Sequence, residues 1–463
     1  MRLALPLLAL AAAVGPAVAA DTRPNVVLVL VDDLGWTDLG CYGSDLYRSP
    51  HVDGLARDGV RFTHAYSACC VCSPTRAAVL TGKYPARLRV TDWIPGLPPA
   101  NPRLLEPDWT KHLPAGEATI AKVLKDAGYA TACVGKWHLG GPEFYPDRVG
   151  FDRNVAGTDK PAPKTYFAPW GIPTLPEGKD GEYLTDRLGD EAVKFIAANK
   201  EKPFFVYLSH FGVHTPIQGP PELVKEYKTR LKPGRRHTHP GYAAMVESVD
   251  ATVGRVRAKL AELGLAERTV IVFTSDNGGR LPTTSNKPLR AGKGGCYEGG
   301  VRVPLIVHWP GVTKPGTECD VPAMSIDLYS TLLEMAGVAG PATHRPDGES
   351  LAPLLRRTGG LTRDALYWHY PHYQLYQQQG TTPYSAVRAG DFKLIEYLAD
   401  GRTELYDLKA DPGEQKDLAA AQPDRAKALH DKLRAWRTAV GAQMPARNPK
   451  YDPARPEHTP VKK

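Results

Sequence analysis

The sequence predicts an α/β protein: a large mixed, mostly parallel sheet sandwiched by helices, joined to a smaller C-terminal α+β domain carrying a short antiparallel sheet. Three observations carry this expectation. Continuous apolar, β-rich runs such as Asn25 to Val31 (NVVLVLV) suit strands buried on both faces of a parallel sheet. Amphipathic helical stretches alternate with these runs, as they do where helices cover both faces of one sheet. From about Leu361 the texture changes to short strand-like runs separated by turns and closed by one helix.

A leader precedes the first strand. Arg2 supplies a positive start, Leu3 to Val14 form an apolar run, and Ala17-Val18-Ala19 offers a small-residue cleavage site. The run is too short to span a bilayer, and no later stretch reaches about 18 uninterrupted apolar residues. Residues 1–20 therefore read as a signal peptide, and the mature chain as a periplasmic or secreted protein with no stable membrane span. The N-terminal domain is expected over 21–360, the C-terminal α+β subdomain over 361–445 and a polar tail over 446–463.

After Asn25–Val31, further buried strands are predicted at Ala130 to Gly135, Pro203 to Ser209, Thr269 to Thr274 and Val303 to Trp309. Between them, Ile120, Val123, Leu124 and Ala127 recur at helical spacing and stop at Gly128. Leu184, Leu188, Ala192, Phe195 and Ile196 define a second helix, and Tyr242 to Leu263 a third. The C-terminal strands are expected at Ala365 to Tyr370, Tyr384 to Val387, Phe392 to Tyr397 and Glu404 to Leu408, with a closing helix over Arg425 to Val440.

Composition narrows the class of partner. Apolar residues make up 42% and charged ones 23%, which is ordinary for a folded chain. The net charge of +8 is scattered apart from Lys228, Arg230, Lys232, Arg235 and Arg236, so no basic stripe or motif points to nucleic acid. Seven cysteines, an odd number in an exported protein, leave at least one outside any internal disulfide. Nothing in the residues reports an oligomeric state.

Three groups carry chemistry, each at or near a predicted strand end, where ligands of such sheets gather. Asp32-Asp33 ends the first strand and Asp276-Asn277-Gly278 the Thr269 strand, giving three carboxylates and an amide oxygen: hard ligands suited to Ca²⁺ or Mg²⁺. Cys72-Ser73-Pro74-Thr75-Arg76 follows, with Pro74 favouring a first helical turn that sets Cys72 at an anion-friendly helix N-terminus. A cysteine of lowered pKa in a structural or redox role is the plainer reading of that residue alone. Lys136, His138, His214 and Lys293 supply cationic or protic groups which, with Arg76, would cradle a tetrahedral oxyanion and its leaving group. Asp92, Trp93, His369 and His372 are candidate substrate contacts.

These residues resemble a known family. Cys72-x-Pro74-x-Arg76 followed by Leu80-Thr81-Gly82 is similar to the signature of formylglycine-dependent (type I) sulfatases, arylsulfatase-like members of the alkaline phosphatase superfamily. The resemblance extends from Pro24-Asn25 through Glu298 to Pro304 and Asp347 to Leu351, and on to Glu404 to Leu408. Thr75 departs from the more usual Ser or Ala. The resemblance implies that a maturation enzyme oxidises Cys72 to Cα-formylglycine, and that Asp32, Asp33, Asp276, Asn277 and residue 72 hold a divalent cation, most simply Ca²⁺. It implies that one hydroxyl of the hydrated aldehyde attacks sulfur, with Asp276 placed to help take its proton. Lys136 and Lys293 would neutralise sulfate oxygens, Arg76 would hold the modified side chain, and His214 with Lys293 would assist the departing alcohol. His138 would take the second hydroxyl's proton as sulfate leaves.

The implied substrate is a sulfated carbohydrate, with aryl sulfates as model substrates. Two alternatives stay open on the residues: a phosphate or phosphonate ester hydrolase of the same superfamily, and a non-catalytic protein that binds sulfated glycans. A two-metal phosphatase needs a second ligand set beside the first, and the motifs supply only one.

Overall fold

The computed structural model describes residues 23–374 and 381–457; the leader expected over 1–20 lies outside them. An eight-stranded sheet forms the centre. Asn25–Val31 lies between Phe204–Ser209 and Thr269–Ser275, parallel to both, and Ala130–Gly135 and Arg153–Val155 extend the parallel set outward. On the other side Leu305–His308 runs antiparallel to Thr269–Ser275, and Val60–Phe62 and Thr317–Cys319 complete the edge. The sheet is thus mixed but mostly parallel.

The uninterrupted hydrophobicity of Asn25–Val31 has a direct structural cause. Val27, Val29 and Val31 enter the core under the helices Leu184–Ala198 and Pro240–Glu262. Val26, Leu28 and Leu30 face the opposite core, made with the helices Cys72–Thr81, Ile120–Asp126 and Asp327–Met335. Alternate side chains of a strand point to opposite faces, so burial on both faces demands apolar residues at every position. The predicted strands and helices appear within a few residues of their expected limits. Val60–Phe62, Arg153–Val155 and Thr317–Cys319, each three residues long, had no sequence prediction because so short a run shows no period.

The C-terminal sheet is antiparallel in the order Ala365–Tyr370, Tyr384–Ala389, Phe392–Tyr397 and Thr403–Asp407, with the helix Pro423–Val440 packed against it. Its buried side chains form one core with Tyr66, Cys69, Cys70 and Val71, the segment that leads into Cys72. The Trp368 indole donates to the Ser67 carbonyl at 2.9 Å. The C-terminal sheet therefore buttresses the turn that presents residue 72. The expected polar tail is partly tethered: Ala446–Arg447 pairs with Leu104–Leu105, and the Glu457 carboxylate accepts from Tyr373 at 2.7 Å. All seven cysteines are free, and among the described residues no helix is long and apolar enough to cross a membrane.

Candidate active site

Parallel register brings the polar strand ends together. Val31 stands opposite Ser275, Leu30 opposite Ser209, and Gly135 opposite Ser209, so Asp32, Lys136 and Asp276 emerge side by side. Gly135 makes this possible: at φ +112° a Cβ there would lie 1.9 Å from the Ser209 carbonyl oxygen. Asp33 (φ 62°) and His138 (φ 60°) both adopt the left-handed conformation, a strained choice for non-glycine residues that concentrates at functional sites.

The helix Cys72–Thr81 is buried along its full length and begins at residue 72. Thr75, the departure from the common motif, fits without disturbance. Its hydroxyl accepts from the Cys69 N–H at 3.1 Å and so fastens the preceding loop. Cys72 Sγ lies 3.4 Å from His138 Nδ1. His138 Nε2 is 2.5 Å from the Ile94 carbonyl, which can only accept, so Nε2 carries the hydrogen and Nδ1 offers its lone pair to residue 72. Burial, reinforced by the Lys136 charge, holds the His138 imidazole well below its usual range, hence neutral. Burial also pushes the Cys72 thiol up, despite Lys136 and Lys293 nearby. An unmodified Cys72 is therefore a protonated thiol, which counts against the reactive-thiolate reading of a helix-start cysteine.

Arg76 is fully buried and holds Asp276 through Nη2 at 2.7 Å and Nε at 3.0 Å; Nη1 donates to Ser209 Oγ at 2.6 Å. The resemblance assigns Arg76 to the modified side chain; beside the unmodified Cys72 its hydrogen-bond partners are Asp276, Ser209 and the Lys136 carbonyl, 3.3 Å from Nη1. Asp276 itself is less free than expected: Oδ2 takes both Arg76 bonds and Oδ1 accepts from the Asp33 N–H at 3.2 Å. Burial and the neighbouring Asp32 push its carboxyl up to about 6.

Lys136 Nζ lies 2.6 Å from Asp32 Oδ2, and Lys293 Nζ 2.7 Å from Asp33 Oδ1. Burial alone would raise the Asp33 carboxyl, but the Lys293 charge, with hydrogen bonds from Asn277 and Lys293, holds it far below the usual range. His214 Nδ1 is 2.8 Å from the Thr215 carbonyl, which leaves Nε2 facing Asp33 Oδ2 at 3.8 Å. Burial and Lys293 lower the imidazole to about 3, so this approach joins a neutral ring to a carboxylate and is no ion pair.

The fit of a cation rests on unsatisfied atoms. Asp32 Oδ1, Asp33 Oδ2 and Asn277 Oδ1 are buried acceptors without a hydrogen-bond partner, and buried polar atoms are rarely left so. Three oxygens of this kind on adjoining strand ends suit a hard divalent ion.

A cavity of about 330 Å³ opens onto the group, lined by Cys72, Trp93, Pro161, His214, Thr215, Arg280, Lys293 and Gln374. Trp93 thus stands where the sequence reading put it, on the cavity wall. The other three candidate contacts do not. His369 is engaged at both ring nitrogens, by Ser385 Oγ at 2.8 Å and the Gln443 carbonyl at 2.9 Å. Asp92 and His372 are fully buried behind the wall. Their sequence neighbours misled: Asp92 adjoins Trp93 in the chain, but its side chain turns inward to accept from Tyr370 at 2.6 Å. Sequence reasoning missed Arg280, Thr215, Gln374 and Pro161. Arg280 follows Asp276-Asn277-Gly278-Gly279 directly, a proximity that could have flagged it.

A helix-start residue facing a neutral imidazole, with two lysines and a hard-cation cradle beside it, suits chemistry on a tetrahedral oxyanion ester. Comparison with known proteins narrows this class. The family described as Sulfatase matches residues 24–338, and N-sulphoglucosamine sulphohydrolase, C-terminal, matches residues 292–439. A sulfatase of Formosa agariphila is 35% identical, the match covering 90% of this chain and 89% of that protein. Arylsulfatase A of Homo sapiens is 33% identical, covering 91% and 89%. The crystal structure described as Ps i-CgsB in complex with k-i-k-neocarrahexaose superposes with a TM-score of 0.76 at 28% identity, covering 93% of this chain and 96% of that one. The chain belongs to the sulfatase family and is a sulfuric ester hydrolase.

Proposed function

We propose that this enzyme removes sulfate from an extracytoplasmic sulfated carbohydrate, using residue 72 as nucleophile after a maturation enzyme has converted Cys72 to formylglycine, with Ca²⁺ (or Mg²⁺) held by Asp32, Asp33, Asp276 and Asn277. The observation that carries this reading is the position of residue 72. It lines the cavity, against His138 Nδ1 and within the field of Lys136 and Lys293. Bound Ca²⁺ would neutralise sulfate charge and strengthen the nucleophile beside it.

The chain's own groups divide the remaining work. Lys136 and Lys293 offset the charge of the sulfate oxygens in a buried, low-dielectric setting, where each counts for more than in water. His138 Nδ1 accepts a proton from the residue-72 side chain, and its tautomer is fixed for this by the Ile94 carbonyl. A sulfate ester beside His214 brings negative charge, which raises the proton affinity of that imidazole. Nε2 can then deliver a proton to the departing sugar oxygen. Arg76 keeps Asp276 oriented and ionised beside the cation cradle. Trp93 offers an aromatic face to a sugar ring, and the k-i-k-neocarrahexaose named for Ps i-CgsB supports a saccharide substrate.

Peptide mass spectrometry across Ala68 to Arg76, on protein made with a maturation enzyme, tests this directly. The aldehyde form should appear about 18 Da lighter than the cysteine form, and sulfate should be released from sulfated oligosaccharides. Finding only cysteine in fully active enzyme would overturn the mechanism.

A further inference from the structure

A second group of metal-type side chains lies behind the cavity wall. Asp92, Glu106 and His372 each offer one ligand atom, and the three atoms lie within 4.8 Å of one another. Asp92 and His372 are fully buried, while the Glu106 side chain is 17% exposed. Asp92 Oδ2, Glu106 Oε1 and His372 Nδ1 are all buried atoms with no hydrogen-bond partner. The remaining polar atoms of Asp92 and His372 are committed elsewhere, and this aims the open ones inward. Asp92 Oδ1 accepts from the Trp93 N–H at 2.8 Å and from Tyr370 at 2.6 Å. His372 Nε2 lies 2.8 Å from Thr91 Oγ1, so an Nε2–H donated there leaves Nδ1 as a lone pair.

We propose that Asp92, Glu106 and His372 form a second metal site, distinct from the strand-end oxygen cradle, that binds a divalent transition ion of the Zn²⁺ class. The donor set decides the class: one imidazole and two carboxylates suit Zn²⁺ or its first-row neighbours better than the all-oxygen Ca²⁺ cage. Charge argues the same way. The two carboxylates face each other with little access to water, a costly arrangement that a divalent ion offsets. Geometry agrees where a distance is recorded. His372 Nδ1 and Glu106 Oε1 are 3.4 Å apart, and ligands at ordinary zinc bond lengths stand roughly 3.3 Å apart in a tetrahedron.

The site would act as a clasp. It joins the segment from Thr91 to Glu106 to the end of the C-terminal strand Ala365–Tyr370, and that segment carries both Trp93 on the cavity wall and the Ile94 carbonyl that fixes His138. Its role is positional, since none of its three side chains lines the cavity.

The test uses the full mature protein with saturating Ca²⁺, so that the strand-end cradle is filled. Zn²⁺ is titrated by calorimetry, and Co²⁺ serves as an absorption probe. One equivalent of Zn²⁺ should bind with a micromolar or tighter dissociation constant. Glu106→Gln, at the least buried of the three positions, should weaken it at least about tenfold (~1.4 kcal/mol) and change the Co²⁺ spectrum. Wild-type protein that takes up no Zn²⁺ with Ca²⁺ present would overturn the proposal. So would a folded Glu106→Gln variant that binds Zn²⁺ as tightly as wild type.

Discussion

Replacing Arg76 by Met keeps the volume of the side chain and removes its charge. Arg76 and Asp276 are both fully buried and joined by two hydrogen bonds of 2.7 and 3.0 Å. Breaking such a pair from one side costs about 3–5 kcal/mol, because the surviving charge is left unpaired in a poor solvent for it. The other partners soften nothing and add little: Ser209 Oγ keeps the Lys136 carbonyl at 2.7 Å, and Asp276 Oδ1 keeps the Asp33 N–H. Protonation is the escape route. Asp276 already has its folded pKa raised to about 6, above the ordinary carboxylate value of 3.8, so the folded state holds that proton more tightly than the unfolded one. Ionised Asp276 therefore subtracts stability as pH rises through this window, and losing Arg76 moves the window upward. The penalty of Arg76→Met should then be near its full value at about pH 8 and shrink by up to about 1.4 kcal/mol per pH unit towards pH 6. Urea unfolding with a calcium chelator present measures this without a bound cation replacing the lost charge. Arg76→Lys, which keeps a cation, should recover much of the difference. An unchanged urea midpoint, or a penalty equal at both pH values, would refute the reasoning.

Three further outcomes are expected. Chelating calcium should stop hydrolysis of an aryl sulfate and re-addition should restore it, while Asn277→Ala should raise the Ca²⁺ needed for half-activation by about tenfold or more (~1.4 kcal/mol); activity indifferent to chelation would remove the cation from the site. His138→Gln should lower kcat by about 10²–10⁴ with little change in KM, because it removes a proton acceptor from residue 72 and not a substrate contact; a kcat within threefold of wild type would dismiss His138 as the base. Arg280→Ala removes a half-buried cavity cation whose recorded partner is Thr215 Oγ1 at 3.3 Å. Steady-state kinetics should show KM rising several-fold, from ~1 kcal/mol of partly screened charge, for a disaccharide carrying a second anionic group but not for an aryl monosulfate; equal effects on both would count against selective recognition of that second charge.

Much of the fold is legible in the chain because burial on both faces writes itself into composition. Asn25–Val31 and Ala130–Gly135 have the limits their apolar runs suggest, and the helices from Leu184 and Ile120 follow their 3.6-residue spacing. The short strand Val60–Phe62 is legible only through its pairing with Leu305–His308, a contact across more than 240 positions. The proposed catalytic set shares this division. Asp32, Cys72, Arg76, Lys136 and Asp276 sit in local motifs at strand or helix ends, and parallel register then brings them together. Asp92, His369 and His372 stand in equally suggestive company, yet their side chains turn into the interior, and Arg280 and Gln374 reach the cavity instead. Sequence by itself determined which residue types could do the chemistry and at which strand ends they stand, because period and motif are local properties. Tertiary structure alone decided that His138 presents Nδ1 to residue 72, that Arg76 grips Asp276, and that Asp92, Glu106 and His372 meet behind the wall. Side-chain direction and long-range contact depend on packing, which no local pattern encodes.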